Sequence, residues 1–204
     1  MSDADLLVLI DTLRALSSRW VREELARAQS LGLGVLQMVW PGHSRAPGTE
    51  FCEPWYLGET DFEPPDLGAS ADTQLKESML QSIVSTAEGL RARSLAARRS
   101  RIVGEVWTRA ATAGVTANIQ PARFLDLESS RGSRYRVFPV VGHPDSVELF
   151  RCFEACGTPP ANGVLLYDPL GMLDPKRLHL GWLNKFLPLK AVPVTELDEW
   201  FRHI

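Results

Sequence analysis

No apolar run in this chain approaches the roughly 20 residues that span a bilayer. Leu6–Ile10 and Gly163–Tyr167, among the longest, hold five residues each. The opening Met1–Leu13 lacks the basic residue that precedes the apolar core of a signal peptide. Three cysteines, Cys52, Cys152 and Cys156, are too few for a disulfide scaffold and cannot all pair among themselves. A cytoplasmic chain, apart from any membrane, is the expectation. Four scattered histidines offer no ligand spacing beside the cysteines, so no metal site is expected. A net charge of −3 gives no global pull toward nucleic acid or an anionic membrane. Dinucleotide-binding glycines, a P-loop, a nucleophile elbow and a zinc-protease motif are all missing.

What is present is an ordinary globular composition, 45% hydrophobic over 204 residues, enough for one large or two small cores. Charge divides the chain. Residues 1–70 carry 5 basic against 11 acidic side chains, 71–116 carry 7 against 4, and 117–204 carry 10 of each. This partition predicts an acidic first unit, a basic helical connector and a neutral second unit.

Leu6–Ile10 is apolar without alternation, as in a strand buried on both faces of a parallel sheet. Ser17 or Ser18 suits the start of a helix that Gly32 stops near Ser30. Gly34–Trp40 reads as a second strand, completing a right-handed βαβ unit. Residues 41–70, rich in proline and glycine, read as loop with room for one short strand or helix. Asp72–Ala113 contains no proline and spaces its apolar residues by three and four, so it is helical, with Gly89 or Gly104 as a candidate break. Further on, Ala117–Leu127, Tyr135–Val141, Val164–Tyr167 and Ala191–Val194 read as strands. Ser146–Cys156, Leu178–Leu187 and Glu196–Phe201 read as helices. Pro139 argues for an edge strand or a bulge. The fold class is therefore α/β: a parallel-sheet unit, a helical connector, and a second small α/β unit.

The helix after Ser18 carries the most pointed chemistry. At 100° per residue, Trp20, Val21, Leu25, Ala28 and Leu31 share an arc, with Glu24 inside it and Glu23 at its border. A carboxylate in an apolar stripe has to be paired, neutralised or turned toward a cavity. Periodicity alone favours the plainer alternative, in which Glu24 reaches solvent or pairs with Arg27.

The run Asp5–Asp11, then Ser17-Ser18-Arg19-Trp20-Val21-Arg22-Glu23-Glu24-Leu25, then Gly32–Pro41, resembles the second half of a Toll/interleukin-1 receptor (TIR) domain, a flavodoxin-like fold. The likeness covers about residues 4–65 and is nearest to bacterial members with Trp-Pro-Gly after the second strand, here Trp40-Pro41-Gly42. Val21 stands where the family often has cysteine. The resemblance implies a catalytic role for Glu24 and a substrate-binding role for Trp20 in cleaving the nicotinamide–ribose bond of NAD+, within bacterial defence or signalling. NAD+ would be substrate, with no cofactor, and the transition state oxocarbenium-like. The recognisable part begins at Leu6, so the chain looks N-terminally incomplete against that family. Either it is a fragment, or the second unit replaces the absent strands, or it is a non-catalytic interaction module that associates with itself or with other TIR-type chains.

In the second unit, His143 and Asp145 follow one strand and Asp168 follows the next. In an open parallel sheet such loops gather ligands, making these three a possible second site, although turn chemistry is the commoner use of both sequences. Cys152 and Cys156 read as small buried hydrophobes. The Arg91–Arg101 cluster lacks interleaved aromatics and reads as a solvated face or a contact to the acidic unit rather than a nucleic-acid surface.

Overall fold

The computed structural model describes residues 5–63, 74–121, 124–157, 162–170 and 172–204. It is α/β throughout, in two compact units, Ala4–Ala96 and Ala97–Ile204.

The first unit is built on three parallel strands, β1 (Leu6–Asp11), β2 (Gly34–Val39) and β3 (Glu53–Tyr56), in the order β1-β2-β3. Helix α1 (Arg19–Ser30) makes the crossover from β1 to β2. Its end is fixed locally: Gly32 takes φ 63°, the Leu33 amide donates to Ala28 O at 2.9 Å, and the Gly32 amide donates to Gln29 O at 3.0 Å. That double bond is the Schellman stop, which only glycine makes without strain. Ser18 occupies the N-cap position but makes no side-chain cap bond, and a short 3₁₀ turn, Ala15–Ser17, precedes it. The stretch expected to be loop holds both β3 and a second 3₁₀ turn at Glu59–Asp61.

Helix α2 (Glu77–Thr112) runs 36 residues without a break at Gly89 or Gly104. It is not the separate connector expected for residues 71–116, because each half belongs to a different unit. Ile83, with Met79, Ala87 and Leu90, packs with Leu36 and Met38 of β2. Ile102, Val106 and Ala110 lie fully inside the second core. The apolar stripe simply continues while the surface it covers changes. The basic residues between are largely engaged: Arg91 pairs with Asp5 at 3.0 Å and Glu88 at 3.4 Å, and Arg93 with Glu53 at 3.7 Å.

The second unit has a five-strand sheet in the order β4 (Thr116–Ile119), β5 (Leu125–Glu128), β6 (Arg134–Val140), β7 (Asn162–Tyr167), β8 (Lys190–Pro193). The first three strands pair antiparallel and the last three parallel. The single strand expected over Ala117–Leu127 is thus a hairpin, β4 and β5. These strands form their own sheet, separate from β1-β2-β3. Pro139 sits in the central strand β6, neither at a sheet edge nor in an edge strand. Its tolerance has a local cause: β5 pairs with β6 only as far as Val137, so no ladder continues on that side.

Alternate strand residues feed two layers. Val137, Val164, Leu166 and Val192 face α2 and α5 (Leu197–His203), while Phe138, Leu165, Tyr167 and Ala191 face α3 (Ser146–Ala155) and α4 (Asp174–Leu183). Helix α4 begins four residues earlier than expected, with Pro175 in the first turn, where a missing N–H costs nothing. Gly163 explains the tight seat of α3 on β7, since a Cβ there would lie 2.5 Å from Cys156 Sγ and 2.7 Å from Leu189 Cδ1.

Candidate functional site

Helix α1 buries Leu25 and Ala28 and half-buries Val21. On a helical wheel these three lie within about 60° of one another, and Glu24 and Trp20 lie about 40° and 80° beyond Ala28. The sheet covers the first group and stops. Glu24 is exposed and Trp20 is 76% exposed. The two do share a side of the helix, but it is the solvent side, and the arc read from the sequence was wider than the surface available to bury it. Glu23 is exposed as well and takes a 2.6 Å bond from Arg19 Nε. The plainer reading of Glu24, a carboxylate in solvent, describes its surroundings.

The second-unit residues have local duties. Asp145 caps α3, accepting from the Glu148 amide at 2.8 Å. Asp168 Oδ1 accepts from the Leu170 amide at 2.9 Å, and its Oδ2 is held by Arg101. His143 is half-buried on the loop after β6. His143 and Asp168 thus follow adjacent parallel strands at the same end of the sheet, while both aspartates are committed to turn and cap bonds. Cys152 and Cys156 pack into the core under α3, and burial pushes the Cys152 thiol up to about 11. Among the described residues no group of histidine, cysteine and acidic side chains could hold a metal ion.

The densest polar cluster lies elsewhere, at the carboxyl ends of β1 and β2. Asp11 is completely buried at the end of β1. Its Oδ2 accepts from Gln37 Nε2 at 2.6 Å and from the Ala46 amide at 3.1 Å, and its Oδ1 lies 3.3 Å from His43 Nε2. Gln37, also fully buried, is a two-way link: its Nε2 donates to Asp11 while its Oε1 accepts from Arg45 Nε at 2.9 Å. Arg45 also donates to Thr49 Oγ1 at 3.3 Å, to Cys52 O at 2.9 Å and to Thr49 O. A buried carboxylate thereby meets a half-buried guanidinium through one amide, which offsets the cost of burying the carboxylate. Cys52 lies beside the cluster, its thiol pushed up to about 11 by burial against the opposing pull of Arg45. It is therefore protonated and unreactive at neutral pH.

An imidazole oriented by a buried carboxylate can pass a proton through its other nitrogen. Here, however, the carboxylate serves three donors at once, and the thiol nearby is protonated. The arrangement ties residues 43–52 to the strand ends. The sequence carried a signal for it that the strand reading passed over: Gln37 inside an apolar run, and Asp11 directly after one, each need a buried partner.

No family model, curated protein or solved structure matches the chain. Among the described residues no helix is long and apolar enough to cross a membrane.

Proposed function

We propose that this chain is a TIR-type assembly module whose docking surface is the open edge of β1, where copies of the chain pair. One observation carries the reading. Val8 and Ile10 share the sheet face of Leu36 and Met38 by register, yet α2 covers only the latter pair. Ile10 is left 54% exposed on an edge strand. Edge strands are normally blunted by lysine, proline or a bulge, and Leu6–Ile10 has neither lysine nor proline. An unguarded apolar edge is the template for strand addition. Two β1 edges meeting antiparallel across a two-fold axis would make one continuous sheet and cover both apolar rows.

Cleavage of NAD+ stands behind this as a property of an assembled state. It rests on the resemblance and on Glu24, and an exposed carboxylate cannot hold a sugar against itself. Positioning can account for about 7–11 kcal/mol of a barrier, so the single chain is expected to release little nicotinamide.

Amide hydrogen exchange on the peptide spanning Leu6–Asp11, over a protein concentration series, tests the docking surface. Protection of alternate amides that grows with concentration, and is lost in Ile10→Lys, is the expected result. Exchange independent of concentration in the wild-type chain would refute it.

A further inference from the structure

We infer that the outer face of α3 and α4 is a second, separate interface, occupied by another copy of this chain. In the second unit, Phe150 and Phe153 of α3 face Leu183 and Leu187, at the end of α4 and in the turn after it, across a groove of about 380 Å³. Among the described residues, Ser146 is the only polar one in its lining. A groove without convergent polar groups cannot orient a nucleotide, sugar or phosphate, all of which need fixed donors and acceptors. On α4 and its turn, Trp182 and Phe186 meet at a 52° tilt with ring centroids 4.9 Å apart, and both stay largely exposed.

The area decides the kind of occupant. Phe150, Phe153, Trp182 and Phe186 are between 44% and 68% exposed. At about 150–250 Å² for a fully buried aromatic side chain, they leave roughly 350–550 Å² of apolar surface in water. One partner's share of a standard interface is about 800 Å², of which roughly 57–65% is apolar. Together these four side chains, two in the groove and two on α4 and its turn, expose about as much apolar surface as the core of one half of a stable interface, more than a small ligand filling the groove would cover. Aromatic side chains are also those that carry most binding energy at such contacts.

Charge points to a second copy. Glu154 follows Phe153 on the α3 side, and Lys185 precedes Phe186 on the α4 side; both are exposed. A two-fold axis along the groove sets the α3 side of one copy against the α4 side of the other, bringing anion toward cation at both ends. At these two positions the face is complementary to itself.

This inference does not depend on the β1 edge, and the test separates them. Sedimentation equilibrium across a micromolar series would be run on the wild-type chain, on Ile10→Lys, and on Ile10→Lys combined with Phe150→Glu or with Phe150→Leu. Ile10→Lys is expected to dimerise. Adding Phe150→Glu should weaken that dimer roughly 30-fold or more, the size of a hot-spot loss, while Phe150→Leu keeps it. Circular dichroism would show that each variant is folded. A monomeric Ile10→Lys chain, or a dimer indifferent to Phe150→Glu, would overturn the inference. Anilinonaphthalene sulfonate gives a second reading: dye fluorescence per chain should fall as the dimer covers the groove. Fluorescence unchanged with concentration would show a groove left open to small apolar ligands, and would equally overturn it.

Discussion

Replacing Asp11 with alanine should cost the first unit more than any other single polar change. The substitution removes the acceptor of Gln37 Nε2 and of the Ala46 amide, and the partner of His43 Nε2. Gln37 is fully buried, so its amide cannot turn to water for replacement, and turning within the site would break its bond from Arg45. Each buried donor left unmade costs about 1–3 kcal/mol, so two of them put the loss near 4 kcal/mol. With a urea dependence of about 1–2 kcal/mol per molar, the unfolding midpoint should fall by about 2–4 M. Trp40 and Trp55, both in the first unit, report the transition by fluorescence. Asp11→Asn keeps the volume and one accepting oxygen, and should lose about half as much. Proteolytic cleavage within residues 43–52 should accelerate in the alanine variant, because Ala46 and His43 lose their tie to the strand. A midpoint for Asp11→Ala within about 0.5 M of wild type would refute the reasoning, since it would mean that those donors reach water without unfolding.

Gly163→Ala should destabilise the second unit by about 1–3 kcal/mol, the cost of forcing a methyl against Cys156 and Leu189; thermal denaturation measures it. Glu23→Ala should change stability by less than about 0.5 kcal/mol, since its pair with Arg19 is exposed. Cys52 and Cys152, with thiols near 11, should resist alkylation at pH 8 in the folded chain and react readily in denaturant, as mass spectrometry would record. The same shifts set a sign for stability. A thiol whose pKa is higher in the folded state contributes stability that is complete below pH 9 and is lost as pH climbs toward 11, so the denaturation midpoint should fall across that window. Nicotinamide release by the chain at low micromolar concentration should be close to background and unchanged by Glu24→Ala; robust release abolished by that substitution would show that one chain already encloses the sugar.

The α/β class, the crossover of the first unit and the strand–helix alternation of the second were legible from the sequence because each depends on local pattern. An unbroken apolar run makes a strand, but in the first unit only β2 is covered on both faces, while Val8 and Ile10 of β1, expected to be buried, stay exposed at the sheet's edge. A glycine after a helix supplies the one backbone conformation that closes it, as Gly32 does. Apolar spacing of three and four similarly dictated that α2 would be helix, but spacing is silent about what the stripe meets. Only tertiary packing gave its two halves to different cores. The same limit governs the site. Periodicity could place Glu24 beside Trp20 and Leu25 on α1, but burial depends on how far the opposing sheet extends, and that sheet ends short of Glu24. Asp11 and Gln37 belong to neighbouring strands and Arg45 to a loop; they meet because parallel pairing aligns strand ends 26 residues apart in the chain. Composition required that a buried glutamine and a buried carboxylate find partners. Which partners they found was decided by the register of β1 on β2.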